Sequence, residues 1–393
     1  MWSKISAVAT ALSLSFVLLA SGVQAEAAKA TKDFAGSEAC KKCHATEFTS
    51  WMGAYHGKMV RKQEDGILKA VVEKWSTDGA NPGPTTGNVT GASFAMKDVV
   101  YVIGSKWKQR FLVKDEATGG YQFMNKQFNR MSGKWENYGN KNDWNAMCAT
   151  CHTTGYRLTS YDPVDPKTQK SEWSELNIGC EACHGPGAAH VNSKAKKDIY
   201  SFTGKSKAEQ SRVCGYCHIR VENELYKSAQ GNSREDLPAP RVGDTFKPSD
   251  DWTTWYPEHV IMPGIQPEDK FDADYKGDLK GLFLKDDISK AMGAYDAGKH
   301  HQEYQDFIQS THFQKNVVSC IDCHSAHASK TSAMKAPAES CAKCHDASYT
   351  VEKFMPGTGK TADNLFVRSH TFNKNQTRPG GPTAKGEPEY NRK

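Results

Sequence analysis

Beyond its first two dozen residues the chain has no long hydrophobic run, and apolar residues make up only 38% of its 393 positions. With a mean hydropathy of −0.68, that shortage excludes a polytopic membrane protein and leaves too little aliphatic material for one large conventional core. No cysteine stands alone, since all 12 fall in pairs. None of those pairs is followed by lysine. Simple disorder is excluded by an aromatic fraction of 10%, because disordered chains are poor in aromatics. At this length two or three domains are expected, built on something other than aliphatic side chains.

The N-terminus reads as an export signal. Lys4 precedes an apolar run from Ile5 to Ala20, and Val23-Gln24-Ala25 supplies small residues for cleavage after Ala25. The run is short for a membrane span. The first cysteine, Cys40, lies well beyond that point, so no cysteine is placed for acylation there. A periplasmic or cell-surface protein with no integral span after cleavage is the expectation.

In an exported protein 12 cysteines would suggest disulfides, but their spacing points elsewhere. Each pair has two intervening residues and a histidine directly after it. The six sites are Cys40/Cys43/His44, Cys148/Cys151/His152, Cys180/Cys183/His184, Cys214/Cys217/His218, Cys320/Cys323/His324 and Cys341/Cys344/His345. Six histidines in six such places by chance is on the order of one in a billion. This is the c-type haem attachment motif. Two thiols add across the two vinyl groups of one haem, and the adjacent histidine reaches the iron as proximal ligand. Zinc sites need no histidine after every pair. Six covalently attached haems c are therefore expected.

Eight histidines remain to supply the opposite side of each iron: His56, His190, His259, His300, His301, His312, His327 and His370. His56 lies on a stretch with Phe48, Met52, Tyr55 and Met59, an apolar stripe at helical spacing, which predicts a helix that brings it to an iron. The segment from His301 to Phe313 puts His301, Tyr304, Ile308 and His312 on one helical face. Eleven residues along a helix separate the two imidazoles by roughly 16 Å, so they would serve two haems. His327 and His190 follow His324 and His184 too closely to cross their own haems, so each would serve a neighbour. His370, after a glycine-rich loop, completes the distal set of His56, His190, His301, His312, His327 and His370. His300 and His259 are the spares.

The motifs divide the chain into a signal peptide (1–25), a single-haem module (26–84), a β-rich insert (85–140), a three-haem module (141–235), a loop-rich connection (236–299), a two-haem module (300–370) and a disordered tail (371–393). Within the insert, Val99 to Ile103, Arg110 to Val113 and Tyr121 to Met124 read as a small β-meander. The tail contains Gly, Pro, Lys, Arg and Asn with almost nothing apolar.

Several of these segments carry a resemblance. Gly36-Ser37-Glu38-Ala39-Cys40 with Trp51 and His56 downstream, Trp144-Asn145-Ala146-Met147-Cys148, the run Cys180-Glu181-Ala182-Cys183-His184-Gly185-Pro186-Gly187 ending at His190, and His300-His301-Gln302 to His312 resemble the multihaem cytochrome family related to cytochrome c-554. The resemblance covers most of residues 36–350. It implies stacked and perpendicular haem pairs, distal ligation by several of the named histidines, and a mainly α and coil wrapping around a chain of six covalent haems, to which the residues add a small antiparallel β insert.

Two function classes follow. Six-coordinate haems would make an electron-transfer wire between redox proteins, such as quinol-linked or outer-membrane cytochromes, or copies of itself in a haem filament. A reductase or oxidase of small nitrogen or sulfur compounds would need one haem with an open side. Eight candidate ligands for six irons favour the wire, and no catalytic side chain is assigned. The formal charge of +6 does not argue for nucleic acid, because the paired propionates of six haems outweigh it. Lys194, Lys196 and Lys197 read as a solvated face or as propionate partners.

Overall fold

The computed structural model describes residues 33–62, 83–88, 91–104, 107–116, 119–138, 144–160, 170–219, 243–251, 283–285, 295–297, 301–327, 335, 340–361 and 365–372. The signal segment, most of the 236–299 connection, His259, His300 and the tail beyond Phe372 lie outside the described residues.

β-Branched and aromatic residues recur along 99–137, and the chain there forms antiparallel strands. β1 (Val60–Lys62), β2 (Val99–Ile103), β3 (Lys108–Asp115), β5 (Lys126–Asn129) and β6 (Lys134–Asn137) lie side by side in the order β1-β2-β3-β5-β6. β4 (Gly120–Phe123) also pairs with β3, so opposite β2 the strand serves two neighbours: Lys108 and Gln109 pair with β5, and Leu112 to Asp115 with β4. At the β2 to β3 turn Gly104 adopts φ +88°, where a Cβ would sit 2.2 Å from the Lys108 carbonyl oxygen, so only glycine fits.

Alternation along β3 sends Leu112 to one face and Phe111 and Val113 to the other, all three fully buried. Leu112 joins Tyr101, Ile103, Tyr121 and Phe123 against Trp144, Ala149, Tyr156 and Trp173. Phe111 and Val113 join Val99, Val102, Met124 and Trp135. Each fully buried large side chain contributes about 1.5–3 kcal/mol. The first face seats the second attachment motif directly on the sheet.

The remaining described segments combine short helices with four two-stranded sheets. The longest helices, Ala45–Gly53 and Lys207–Gly215, have nine residues each. Lys207–Gly215 starts at a reciprocal cap, in which Glu209 N–H donates to Ser206 Oγ and Ser206 N–H to the Glu209 carboxylate. A mainly α fold with one small β insert is therefore not what the chain adopts. Among the described residues fourteen strands form five sheets, and most helices last only a turn or two. Helices at the second, third and fifth attachment motifs end early because the chain turns to an extended or turn residue at Thr153, Gly185 and His324.

One buried carboxylate ties distant segments together. Glu181 accepts the N–H groups of Ala35 and Gly36, both at 2.8 Å, and of Gly187 at 2.6 Å. Beside it Glu175 accepts the N–H and hydroxyl of Ser37. The first attachment motif is thereby fixed to the third.

Candidate haem-binding sites

Every attachment motif occupies about one helical turn. The N–H of His44, His218, His324 and His345 donates to the carbonyl of the first cysteine of its motif at 2.8–3.0 Å. The Cys180–His184 segment is itself a helix, and Ala149–His152 completes the second motif after a wider turn at Trp144–Cys148. At 3.6 residues per turn, positions i, i+3 and i+4 share a side, so both thiols and the imidazole of a motif face the same way.

The imidazoles then meet in pairs from distant segments. Ring centres lie 6.5 Å apart for His44 and His190, 6.2 Å for His184 and His327, 6.2 Å for His324 and His370, and 5.9 Å for His345 and His312. His218 has two such neighbours, His301 at 6.1 Å and His56 at 6.3 Å. His152 differs, because its ring meets the fully buried indole of Trp144 at 6.3 Å. Among the described residues no three His, Cys, Asp or Glu side chains gather as a metal cluster, so the convergence is pairwise.

Thiols of different motifs also approach one another. Cys40 lies against Cys180, Cys214 against Cys320, and Cys217 against Cys151. Burial pushes the Cys183 thiol up with Cys217 adding to the effect, and does the same to Cys323 with Cys341. The sites thus succeed one another in space as first, third, fourth, fifth and sixth, and the second attaches to the side of the fourth.

Residues 105–185 match the family described as cytochrome c554 and c-prime. No curated protein matches the chain. Among solved structures the chain is similar to the outer cell wall cytochrome OcwA, at 20% identity over 82% of this chain and 69% of that one, with TM-score 0.52. It also aligns with an undecahaem cytochrome from the S-layer of Carboxydothermus ferrireducens, at 20% identity over 82% of this chain and 44% of that one, with TM-score 0.39. The family match covers 105–185 alone, and the likeness to the outer cell wall cytochrome is one of fold.

The residues fit covalently bound haem, the cofactor that a match to a cytochrome family implies. Two imidazoles on one iron have ring centres about 6 Å apart, from roughly 2 Å per iron–nitrogen bond and about 1 Å from nitrogen to ring centre. The five pairings match that separation. Burial holds His56 down to about 4, with His218 adding to the effect, and does the same to His152 with Arg110 and to His324 with His370. Each is therefore neutral near pH 7, the form that donates a lone pair to a metal. The outer ring nitrogens are aimed by second partners. Nδ1–H of His184 donates to the Tyr200 carbonyl at 3.1 Å, that of His190 to the Ala195 carbonyl at 3.0 Å, and that of His370 to the Arg368 carbonyl at 3.0 Å.

Two local expectations are corrected. The helix expected to carry His56 ends at Gly53, and His56 begins a separate 3-10 turn. Gly57 packs so closely on the Trp51 carbonyl, 2.6 Å from where a Cβ would be, that the chain doubles back there and the apolar stripe is broken, leaving Met52 exposed. Nor is His301–Phe313 one helix. His301 has φ +62°, Glu303–Phe307 forms a first helix, and Ser310 caps a second over Thr311–Gln314 by accepting the Phe313 N–H. His301 and His312 nonetheless face different motif histidines. Sequence reasoning missed Glu303, whose only local signal is its place two residues after His301.

Proposed function

We propose that this chain is an exported hexahaem c-type cytochrome that passes electrons along closely packed haems between redox partners. The reading rests on the pairing of imidazoles: five of the six motif histidines face a histidine from a distant segment at the separation a six-coordinate iron requires. In this reading Cys40, Cys43, Cys148, Cys151, Cys180, Cys183, Cys214, Cys217, Cys320, Cys323, Cys341 and Cys344 hold six haems. His44, His152, His184, His218, His324 and His345 are proximal ligands. His190, His327, His370 and His312 close the far side of the first, third, fifth and sixth irons, and one of His56 and His301 that of the fourth.

Each bound haem supplies one reversible ferric/ferrous electron. Two imidazoles would leave no side of an iron to a small molecule and would favour negative potentials, because methionine ligation is what raises them. Partners are other redox proteins, either quinol-linked or outer-membrane cytochromes or further copies of this chain. A periplasmic or cell-surface location follows from the N-terminal apolar run, and among the described residues no helix is long and apolar enough to cross a membrane.

Substituting ligands tests the reading. His190→Met and His312→Met should each raise the midpoint potential of a different single haem, while pyridine haemochrome counting still returns six. If either variant keeps an unchanged low-spin spectrum and potential, that residue is not a ligand.

A second reading draws on His152, which faces an indole rather than an imidazole. With one side of that iron open, the second site would be the place for reduction or oxidation of a small nitrogen or sulfur compound. Electron paramagnetic resonance of the resting oxidised protein decides it, because a purely low-spin signal at six haems excludes the open site.

A further inference from the structure

We propose that Glu303 is a positioning residue that fixes the His218 imidazole through Nδ1 and makes its iron the lowest-potential member of the set, at the point where three other attachment sites converge. The proposal rests on the reading that His218 is a haem ligand. His218 Nδ1–H donates to the Glu303 carboxylate at 3.0 Å. The other described partners of histidine Nδ1 are weaker. His184, His190 and His370 donate to neutral carbonyls, and Nδ1 of His152 and of His312 is buried without a hydrogen bond. Among these histidines only His218 is held by a charge.

Packing holds the carboxylate in place. Glu303 opens the Glu303–Phe307 helix, and the N–H of the next residue, Tyr304, donates to the His218 carbonyl at 3.0 Å. Tyr304 and Ile308 pack against Tyr216 and Ile219, which flank His218 in the chain. The acceptor therefore travels with the motif it serves.

The electrostatic consequence is direct. A charged acceptor draws the Nδ1 proton toward itself, makes the imidazole a stronger donor and favours the ferric over the ferrous iron. Reduction adds one electron from the titrant, and the Nδ1 proton stays on the imidazole in both states. The location gives this difference its meaning. The fourth motif touches the second through Cys217 and Cys151 and the fifth through Cys214 and Cys320, and the third lies within electrostatic reach of it, through Cys183 and Cys217. A low potential at this junction keeps electrons from settling there and distributes them to the three branches.

Redox titration of the holoprotein, followed by optical and electron paramagnetic resonance spectra, tests the proposal. Glu303→Gln should raise the lowest-potential component alone, by a roughly tenfold change in the ferric/ferrous preference, about 59 mV for one electron. Haem content and low-spin intensity should stay unchanged, with one shifted low-spin signal. Glu303→Asp, which keeps the carboxylate, should move the same component less than Gln does. No shifted component in Glu303→Gln, or a shift of equal size in both variants, overturns the proposal. A double variant, Cys214→Ala with Cys217→Ala, separates the two levels: retention of six covalent haems there would defeat the reading of His218 as a haem ligand, whatever Glu303 does.

Discussion

The six-stranded sheet and the segment from His301 to Cys320 are both well buried, yet with opposite materials. The sheet interior is mostly apolar, with Phe111, Leu112, Val113, Phe123 and Met124 none more than 1% exposed and Gln109 the fully buried polar exception on β3. In the His301 to Cys320 segment the most deeply buried side chains include Gln302, Gln305 and Asp306, at 0% exposure, and Ser310 and Ser319. The first region is held by removal of apolar surface from water, which has no preferred direction. The second is held by directed hydrogen bonds. Ser319 donates to Gln210, Gln309 to the Gln305 carbonyl, and His370 N–H to Asp306. Stability can be supplied by either means, but aiming a ring at a metal needs the second.

That contrast can be broken at both ends. Phe111→Ala should have the larger effect, costing about 3–5 kcal/mol of unfolding free energy because the rigid sheet cannot close over the lost ring. Its haem spectra and potentials should remain those of the parent. Denaturant unfolding beside a redox titration checks this, and a shifted haem potential would mean that the sheet does position ligands. Asp306→Ala should cost less, about 1–3 kcal/mol, by stranding the buried His370 N–H. It should nevertheless alter the spectrum of one haem, that of the His324–His370 pair. Loss of stability with all haem signals unchanged would erase the distinction between the two regions.

The same contrast explains what could be read in the chain beforehand. The proposed attachment motifs stand out in the sequence because covalent haem chemistry would impose a fixed local spacing on Cys and His. The strands at Val99–Ile103, 110–113 and 121–124 are legible because alternation reports a two-sided sheet. The short edge strand Val60–Lys62 was not, since three residues carry no period and its place is set by pairing with Tyr101 to Ile103. Helix extent failed where local stops outweighed an apolar stripe, at Gly57 and at Ser310. The pairing of His190 with His44, or of His327 with His184, leaves no mark on neighbouring residues, because it is a property of tertiary contacts. A resemblance to cytochromes suggested a helical wrapping. The strands outside the sheet are mostly two to five residues long, below the length at which composition speaks.

The Glu181 clasp has a consequence for the order of events in the life of the chain. Its carboxylate joins Ala35 and Gly36 to a partner 145–146 residues later in sequence, and its third donor is Gly187. A chain that emerges N-terminus first, from a ribosome or a translocon, cannot close this loop until residue 187 has followed. Cys40 and Cys43 therefore stay open to modification while nearly half the polypeptide is still arriving, and the site that appears first is fastened late.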